Sequence, residues 1–156
     1  MKYSFLAIIA VFFMSCSNND SEQELPIPID YTAKNEADIK AYVATNQLDA
    51  KRTDSGLYYV INEQGTGKQP TATSKVTVSY KGYFTDKKVF DQSTDAGATF
   101  TLQQLIKGWV EGIPFFKEGG SGTLLIPAHL GYGSYTTSGI PGGSVLIFDI
   151  KLISVN

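Results

Sequence analysis

The chain has 156 residues, 42% of them hydrophobic, and a formal net charge of −2. This hydrophobic content is enough for a folded core and excludes a generally disordered chain, while the lack of a basic block argues against electrostatic binding to nucleic acid. The 15 glycines and 9 tyrosines, with few long helical patterns, favour a β-rich domain with tight turns.

The first 15 residues have the pattern of a signal peptide. Lys2 precedes an unbroken apolar run over residues 5–14, which is too short for a membrane-spanning helix of about 20 residues. The run ends at Ser15 and Cys16, the only cysteine, and this arrangement resembles a bacterial lipobox, in which the cysteine is lipidated. A plain secretory signal with an incidental cysteine remains the alternative. A single cysteine excludes a disulfide framework within the chain.

Two segments separate this leader from the main domain. Residues 16–34 are polar and acidic and then contain alternating prolines, a composition typical of a flexible tether between a lipid anchor and a folded domain. Residues 35–55 are predicted to form a helix and a linker, with Asn35 as N-cap, acidic residues in the first turn and an apolar face that ends near Asn46. So short a helix is marginal alone, and we therefore expect it to pack on the main domain.

Residues 56–156 are predicted to form one α+β domain, an antiparallel sheet of about five strands wrapped on one short α-helix. The β-rich segments are residues 56–62, 75–84, 123–127 and 144–155, with shorter ones at 89–91 and 100–102. The last segment is apolar on both faces, which indicates a central strand. The helix is predicted over residues 107–116, short or bent because Pro114 lies inside it.

The segment at residues 75–84 alternates apolar and polar residues. Val76, Val78 and Tyr80 share one face with Phe84, so that face is predicted to be buried with Tyr80 pointing inward. The same alternation puts Tyr83 on the polar face.

Few residues offer acid–base, nucleophilic or metal chemistry. His129 is the only histidine, and no cluster of metal-ligating residues or Cys/His pair is apparent, so we predict no metal and no cofactor. What remains is an aromatic set with few titratable members, as expected of an apolar binding site with one or two polar groups: Tyr80, Phe90, Asp91, Phe100, Trp109, Tyr132 and Phe148. Taken by itself, Trp109 fits a core residue and a pocket floor equally well.

Seven short motifs occur in an order that resembles the FKBP family of peptidyl-prolyl cis-trans isomerases. They are VSYKGYF (78–84), VFDQS (89–93), LIKGW (105–109), LLIP (124–127), GYG (131–133), IP (140–141) and LIFD (146–149). The resemblance covers residues 57–155 and implies an enzyme that accelerates X–Pro rotation in exported proteins. It implies proline-containing polypeptides as substrates and macrolides as inhibitors. A non-catalytic proline-segment binder or holdase chaperone, and a structural lipoprotein with a relic pocket, remain alternatives.

The resemblance also assigns roles to individual residues. It implies that Trp109 is the pocket floor, that Tyr80, Phe90, Phe100 and Phe148 are walls, that Leu105 and Ile106 form the rim, and that Ile140 lies on an overhanging loop. Tyr132 would donate its phenol to a substrate carbonyl. Asp91 would lie near the twisted carbonyl or orient Tyr80. For Phe100, Ile106 and Phe148, plain core packing is the alternative role.

Three positions and one loop depart from the family pattern. Ala96 stands where many members carry an arginine that pairs with the Asp91 position, and Ala98 replaces an aromatic wall found in some members. Lys87 stands where the family commonly has the glycine of an Asp-Gly turn, and the loop at residues 134–139 is one residue short. We expect activity to be retained, in the bacterial cell envelope and on a membrane reached through the lipid, with the outer membrane favoured.

Overall fold

A computed structural model describes residues 27–156. The signal peptide, Cys16 and most of the tether therefore lie outside the described residues. The elements in chain order are helix α1 (Thr32–Thr45), strands β1 (Lys51–Arg52), β2 (Tyr58–Glu63), β3 (Lys75–Tyr83), β4 (Val89–Gln92) and β5 (Ala98–Thr101), helix α2 (Lys107–Gly112), and strands β6 (Ser121–Ile126) and β7 (Leu146–Val155). Within residues 27–156, no helix is both long and apolar enough to span a membrane.

The strands form one antiparallel sheet with the order β1-β2-β6-β7-β3-β4, and β5 also pairs with β3. The α+β class is as predicted, but the sheet has seven strands rather than about five. The unpredicted strand is β1, whose two residues are too few to show a periodic pattern. Strand β7 pairs with β6 on one side and β3 on the other, as its two apolar faces predicted.

Each face of the sheet carries its own hydrophobic cluster. Leu124 and Phe148 belong to the cluster that includes Trp109 of α2, whereas Leu125 and Ile147 belong to the cluster that includes α1 residues. Because neighbouring residues of a strand point to opposite faces, α1 and α2 cover opposite faces of the sheet. The expectation that the N-terminal helix packs on the main domain is therefore confirmed.

The covered second face corrects the prediction for Tyr83. This side chain is only 8% exposed and packs with Ile39 and Tyr42 of α1. The alternation along β3 correctly separates its two faces, but it does not reveal that a helix from outside the sheet covers the polar one.

The prediction that Asn35 is the N-cap of the first helix is wrong. Helix α1 begins at Thr32, so residues 32–34 are its first turn rather than tether. Asn35 lies inside the helix, fully buried, and both ends of its side-chain amide bind distant backbone groups. Asparagine is common at N-caps because its short side chain binds backbone, and here it does so across the fold instead.

Pro114 limits the second helix as predicted. The α-helix ends at Gly112 and continues as a 3-10 turn over Ile113–Phe115, which contains the proline. Proline has no N–H to donate to the preceding turn, so the regular α-helical hydrogen bonding stops there.

The turn between β3 and β4 has Lys87 in a left-handed conformation, with φ of 70°. This is the position where the family commonly has glycine, which adopts such a φ without strain. The lysine ammonium lies 4.3 Å from the centre of the Tyr42 ring and contacts the Tyr42 hydroxyl, and it also lies 3.2 Å from Oδ1 of Asn46. The Lys87 side chain thus connects the turn to α1, while the Lys87 backbone is held in an unfavourable conformation.

Two substitutions should separate these opposing effects. Lys87→Ala keeps the unfavourable φ and loses the contacts with α1, so it should destabilise the protein. Lys87→Gly loses the same contacts but removes the strain, and should be more stable than Lys87→Ala by about 1 kcal/mol. Urea unfolding of both variants measures the difference, and equal midpoints would show that the turn is not strained.

Candidate active site

A cavity of about 540 Å³ opens on the α2 face of the sheet. It is lined by Tyr80, Phe84, Lys88, Val89, Phe90, Asp91, Phe100, Leu105, Ile106, Trp109, Tyr132, Ser138, Gly139, Ile140 and Phe148. All ten residues that the sequence singled out for substrate binding or catalysis lie in this one lining, although they span more than 60 positions of the chain.

The indole of Trp109 lines the cavity and is surrounded by three other aromatic rings. Its centre is 5.2 Å from that of Tyr80, 5.3 Å from that of Phe148 and 5.8 Å from that of Phe100, and all three rings meet it edge-on. This is the arrangement that aromatic quadrupoles favour. Trp109 is 4% exposed, so the same residue belongs to the core and to the cavity lining, and the two interpretations of the sequence were not exclusive.

Glycines let the aromatic rings and α2 approach the sheet. A Cβ on Gly108 would lie 2.5 Å from the Ile126 side chain, so α2 can rest on β6 only with glycine there. On β3, a Cβ at Gly82 would lie 2.7 Å from Phe90 and 2.8 Å from Phe148. Larger residues at either position would push the walls or the floor out of place.

The polar groups of the cavity are centred on Tyr80. Its hydroxyl donates a 2.7 Å hydrogen bond to Oδ2 of Asp91, and its backbone N–H donates to Oγ of Ser93. Burial, and then the hydrogen bond to the Asp91 carboxylate, raise the pKa of Tyr80 to about 12. This hydrogen bond is the contact expected if Asp91 orients Tyr80.

This hydrogen bond predicts a pH dependence of stability. The pKa of Tyr80 is higher in the folded state than the ordinary value of 10, so its contribution is fully present below pH 10 and is lost as the pH rises towards about 12. Asp91→Asn should lower the pKa of Tyr80 and reduce this loss. Spectrophotometric tyrosine titration would measure the pKa of Tyr80, and urea unfolding between pH 9 and 12 would measure the loss of stability. Identical curves for the wild type and Asp91→Asn would show that the hydrogen bond does not couple stability to pH.

Asp91 has no arginine partner. The only arginine of the chain, Arg52, hydrogen-bonds Glu36 of α1 at 3.2 Å. The side-chain partner of Asp91 described above is therefore the Tyr80 hydroxyl. Ala98 pairs with Val78 in the sheet and is not in the cavity lining.

The structure shows which residues at and just after the loop of residues 134–139 line the cavity. Ser138, Gly139 and Ile140 line the cavity, and Thr137 and Ile140 exchange two backbone hydrogen bonds of 3.0 and 2.9 Å. Ile140 is only 6% exposed, and Tyr132, earlier in the same loop, is 42% exposed. The loop therefore contributes a covered aliphatic side chain and an accessible phenol to the cavity.

Five lining residues were not predicted: Phe84, Lys88, Val89, Ser138 and Gly139. Phe84 could have been found, since it directly follows β3 and continues the apolar alternation that includes Tyr80. Its ring is tilted by 46° to that of Phe90, with centroids 4.9 Å apart. The others reach the cavity through turn geometry, which hydrophobic periodicity does not encode. Within residues 27–156, no group of three His, Cys, Asp or Glu side chains is placed to hold a metal ion.

Comparison with known proteins agrees with this geometry. A family model described as FKBP-type peptidyl-prolyl cis-trans isomerase matches residues 66–153, which include every residue of the cavity lining. The chain belongs to the FKBP-type peptidyl-prolyl cis-trans isomerase family. Helix α1 and strands β1 and β2 precede the part of the chain that the FKBP model matches.

Individual relatives support the assignment. The FKBP-type isomerase FkpA of Aeromonas hydrophila is 41% identical over 118 residues, covering 73% of this chain and 44% of that protein. FkpA of Escherichia coli K12 is 39% identical over 127 residues, covering 79% and 47%. The chain thus spans about half the length of the curated relatives it matches.

Solved FKBP-family structures resemble the fold. The crystal structure of E. coli FkpA matches with a TM-score of 0.72 and 36% identity, covering 80% of this chain and 61% of that one. A peptidyl-prolyl cis-trans isomerase from Pseudomonas syringae matches with a TM-score of 0.69 and 29% identity, covering 84% of this chain and 99% of that one.

Proposed function

We propose that this FKBP-family protein is a peptidyl-prolyl cis-trans isomerase that acts on proline-containing segments of exported polypeptides. The observation that carries the proposal is the convergence of all ten predicted site residues on one aromatic cavity. A cavity of about 540 Å³ is in the size range of ligand pockets and has room for a proline ring with its neighbours.

The chemistry requires no acid, base, nucleophile or metal. Rotation about an amide bond has a barrier of about 18–20 kcal/mol because resonance gives the C–N bond partial double-bond character. An enzyme lowers that barrier by binding the twisted amide, which has lost this resonance, more tightly than either planar isomer. The apolar cavity would hold the pyrrolidine ring on Trp109 and remove water from the amide carbonyl, where water stabilises the planar form.

Other lining residues would hold the substrate around the bound amide or position the groups that do so. Leu105 and Ile106 would form the rim, where a backbone N–H holds the substrate, and Ile140 would cover it. Tyr132 would donate its phenol to a substrate carbonyl, for which its exposed position in the lining is suited. Asp91 would act by fixing the Tyr80 hydroxyl.

Tyr132→Phe tests the proposed donor. The variant should fold with nearly unchanged stability, because the ring is kept and Tyr132 is 42% exposed, and should lose about tenfold in kcat/KM, equivalent to one hydrogen bond of about 1.4 kcal/mol. Tyr135→Phe, in the same loop but outside the cavity lining, is the matched control and should keep wild-type activity. Equal activities for the two variants would remove Tyr132 from the site.

The activity itself is measured with a chromogenic Leu-Pro tetrapeptide. The purified protein should accelerate cis-to-trans conversion, and a macrolide of the kind that FKBP proteins bind should inhibit it. Binding of the peptide without acceleration would contradict the proposal and favour the non-catalytic binder or holdase.

The proposed organisation places this domain, residues 56–156, after a signal peptide (1–15), a tether that starts at a lipidated Cys16, and the N-terminal helix and linker. The protein would then be held on an envelope membrane, with the outer membrane favoured. Labelled fatty acid should be incorporated into the wild type and not into Cys16→Ser. Processing of the wild-type precursor should be sensitive to globomycin. Secretion of unlabelled wild-type protein would contradict the anchor.

A further inference from the structure

A residue of α1 joins the two ends of the loop at residues 128–143, which lies between β6 and β7 and carries Tyr132 and Ile140. The fully buried Asn35 accepts a hydrogen bond from the N–H of Ala128 through Oδ1, at 2.7 Å, and donates through Nδ2 to the carbonyl of Gly143, at 2.9 Å. These two backbone groups are the two ends of the loop. One short side chain therefore joins them.

Backbone hydrogen bonds within the loop also link its two ends. The N–H of Gly133 donates to the carbonyl of Ala128 at 2.8 Å, and the N–H of Gly143 donates to the carbonyl of Gly133 at 2.9 Å. Tyr132 immediately precedes Gly133, so its backbone is one peptide away from these hydrogen bonds. A shift of Ala128 or Gly143 would be transmitted to the phenol.

Few side chains can replace Asn35 at this position. The site needs an acceptor facing Ala128 and a donor facing Gly143, and the asparagine amide supplies both from one rigid group. Without it, the buried N–H of Ala128 and the partly buried carbonyl of Gly143 would lose this partner. The ring of Tyr31 lies against Gly143, where any Cβ would strike it, so the start of α1 holds this end of the loop a second time.

We propose that Asn35 is a positioning residue, which sets the place of Tyr132 and Ile140 over the cavity although it does not line the cavity itself. The inference rests on the proposed isomerase function for its catalytic consequence. It gives α1, which lies outside the matched family region, a role in the site rather than only in covering the sheet.

The decisive comparison is Asn35→Ala against Tyr58→Phe. Tyr58→Phe removes a different α1 contact, the 2.8 Å hydrogen bond from Tyr58 to Glu36, and leaves the loop alone. Both variants should lower Tm. Only Asn35→Ala should lower kcat/KM for the Leu-Pro tetrapeptide, by about tenfold and mainly in kcat, because a displaced phenol loses contact with the transition state more than with the ground state. Equal kcat/KM for the two variants, whether reduced or not, would overturn the inference.

Amide hydrogen exchange gives a readout that does not depend on activity. In Asn35→Ala, exchange should accelerate at Ala128, Gly133 and Gly143 and stay unchanged in β3 and β7. Unchanged exchange at these three amides would overturn the positioning role even if activity fell. If the wild type proves inactive, the proposed function fails, and exchange alone decides whether Asn35 orders the loop. Should Asn35→Ala not fold, Asn35→Ser is the second variant, because a single short hydroxyl does not join both backbone groups, and the same two readouts apply.

Discussion

Asp91→Ala should reduce kcat/KM for a Leu-Pro peptide by about tenfold while leaving the protein folded. The carboxylate is exposed, so its removal creates no cavity, but the Tyr80 hydroxyl loses its 2.7 Å partner inside the aromatic site. A hydrogen bond to a charged group contributes about 1.5–3 kcal/mol, and a tenfold change corresponds to about 1.4 kcal/mol. Steady-state kinetics with far-UV circular dichroism would measure both properties.

A double-mutant cycle identifies the route of this effect. If Asp91 acts by fixing Tyr80, the single variants Asp91→Ala and Tyr80→Phe and the double variant should lose similar activity, because each removes the same hydrogen bond. Fully additive losses would mean that Asp91 contacts the substrate independently of Tyr80. No loss in Asp91→Ala would contradict its place in the site.

Trp109→Ala should have the largest combined effect, since this residue serves both core and cavity. Removing a buried tryptophan costs about 3–5 kcal/mol of unfolding free energy, and the three rings that meet its edges would lose their common partner. The activity per folded molecule should fall at least a hundredfold because the proline ring loses its platform. Urea unfolding and kinetics on the same samples would separate the two losses.

Phe116→Ala is the matched control for Trp109→Ala. Phe116 is fully buried in the same hydrophobic cluster but is not in the cavity lining. It should lose a similar unfolding free energy and keep wild-type kcat/KM per folded molecule. An equal loss of activity in both variants would show that stability, and not the cavity floor, explains the effect.

Much of the site was predictable because its aromatic residues obey local rules. Tyr80 lies on a strand whose alternation reveals the inward face, and the family order of motifs connects it with Trp109, Tyr132 and Phe148. The central position of β7 was also predictable from local periodicity, because a strand that is apolar on both faces must be covered on both of them. These features depend on neighbouring residues in the chain and not on distant contacts.

The features that sequence reasoning missed depend on long-range contacts. Asn35 has the local pattern of an N-cap, yet its partners are Ala128 and Gly143, more than 90 positions away. Tyr83 has a polar pattern around it, yet α1 buries it. The strain at Lys87 is tolerated because its side chain reaches Tyr42. In each case a tertiary contact overrides a local preference.

Catalysis of proline-limited refolding is the decisive measurement of isomerase activity. A denatured protein whose slow refolding phase is an X–Pro isomerisation should refold faster when this protein is present at well below one equivalent, because an isomerase turns over and a holdase does not. The acceleration should be proportional to catalyst concentration and nearly absent for Trp109→Ala. Acceleration that requires stoichiometric protein, or none at all, would contradict isomerase activity.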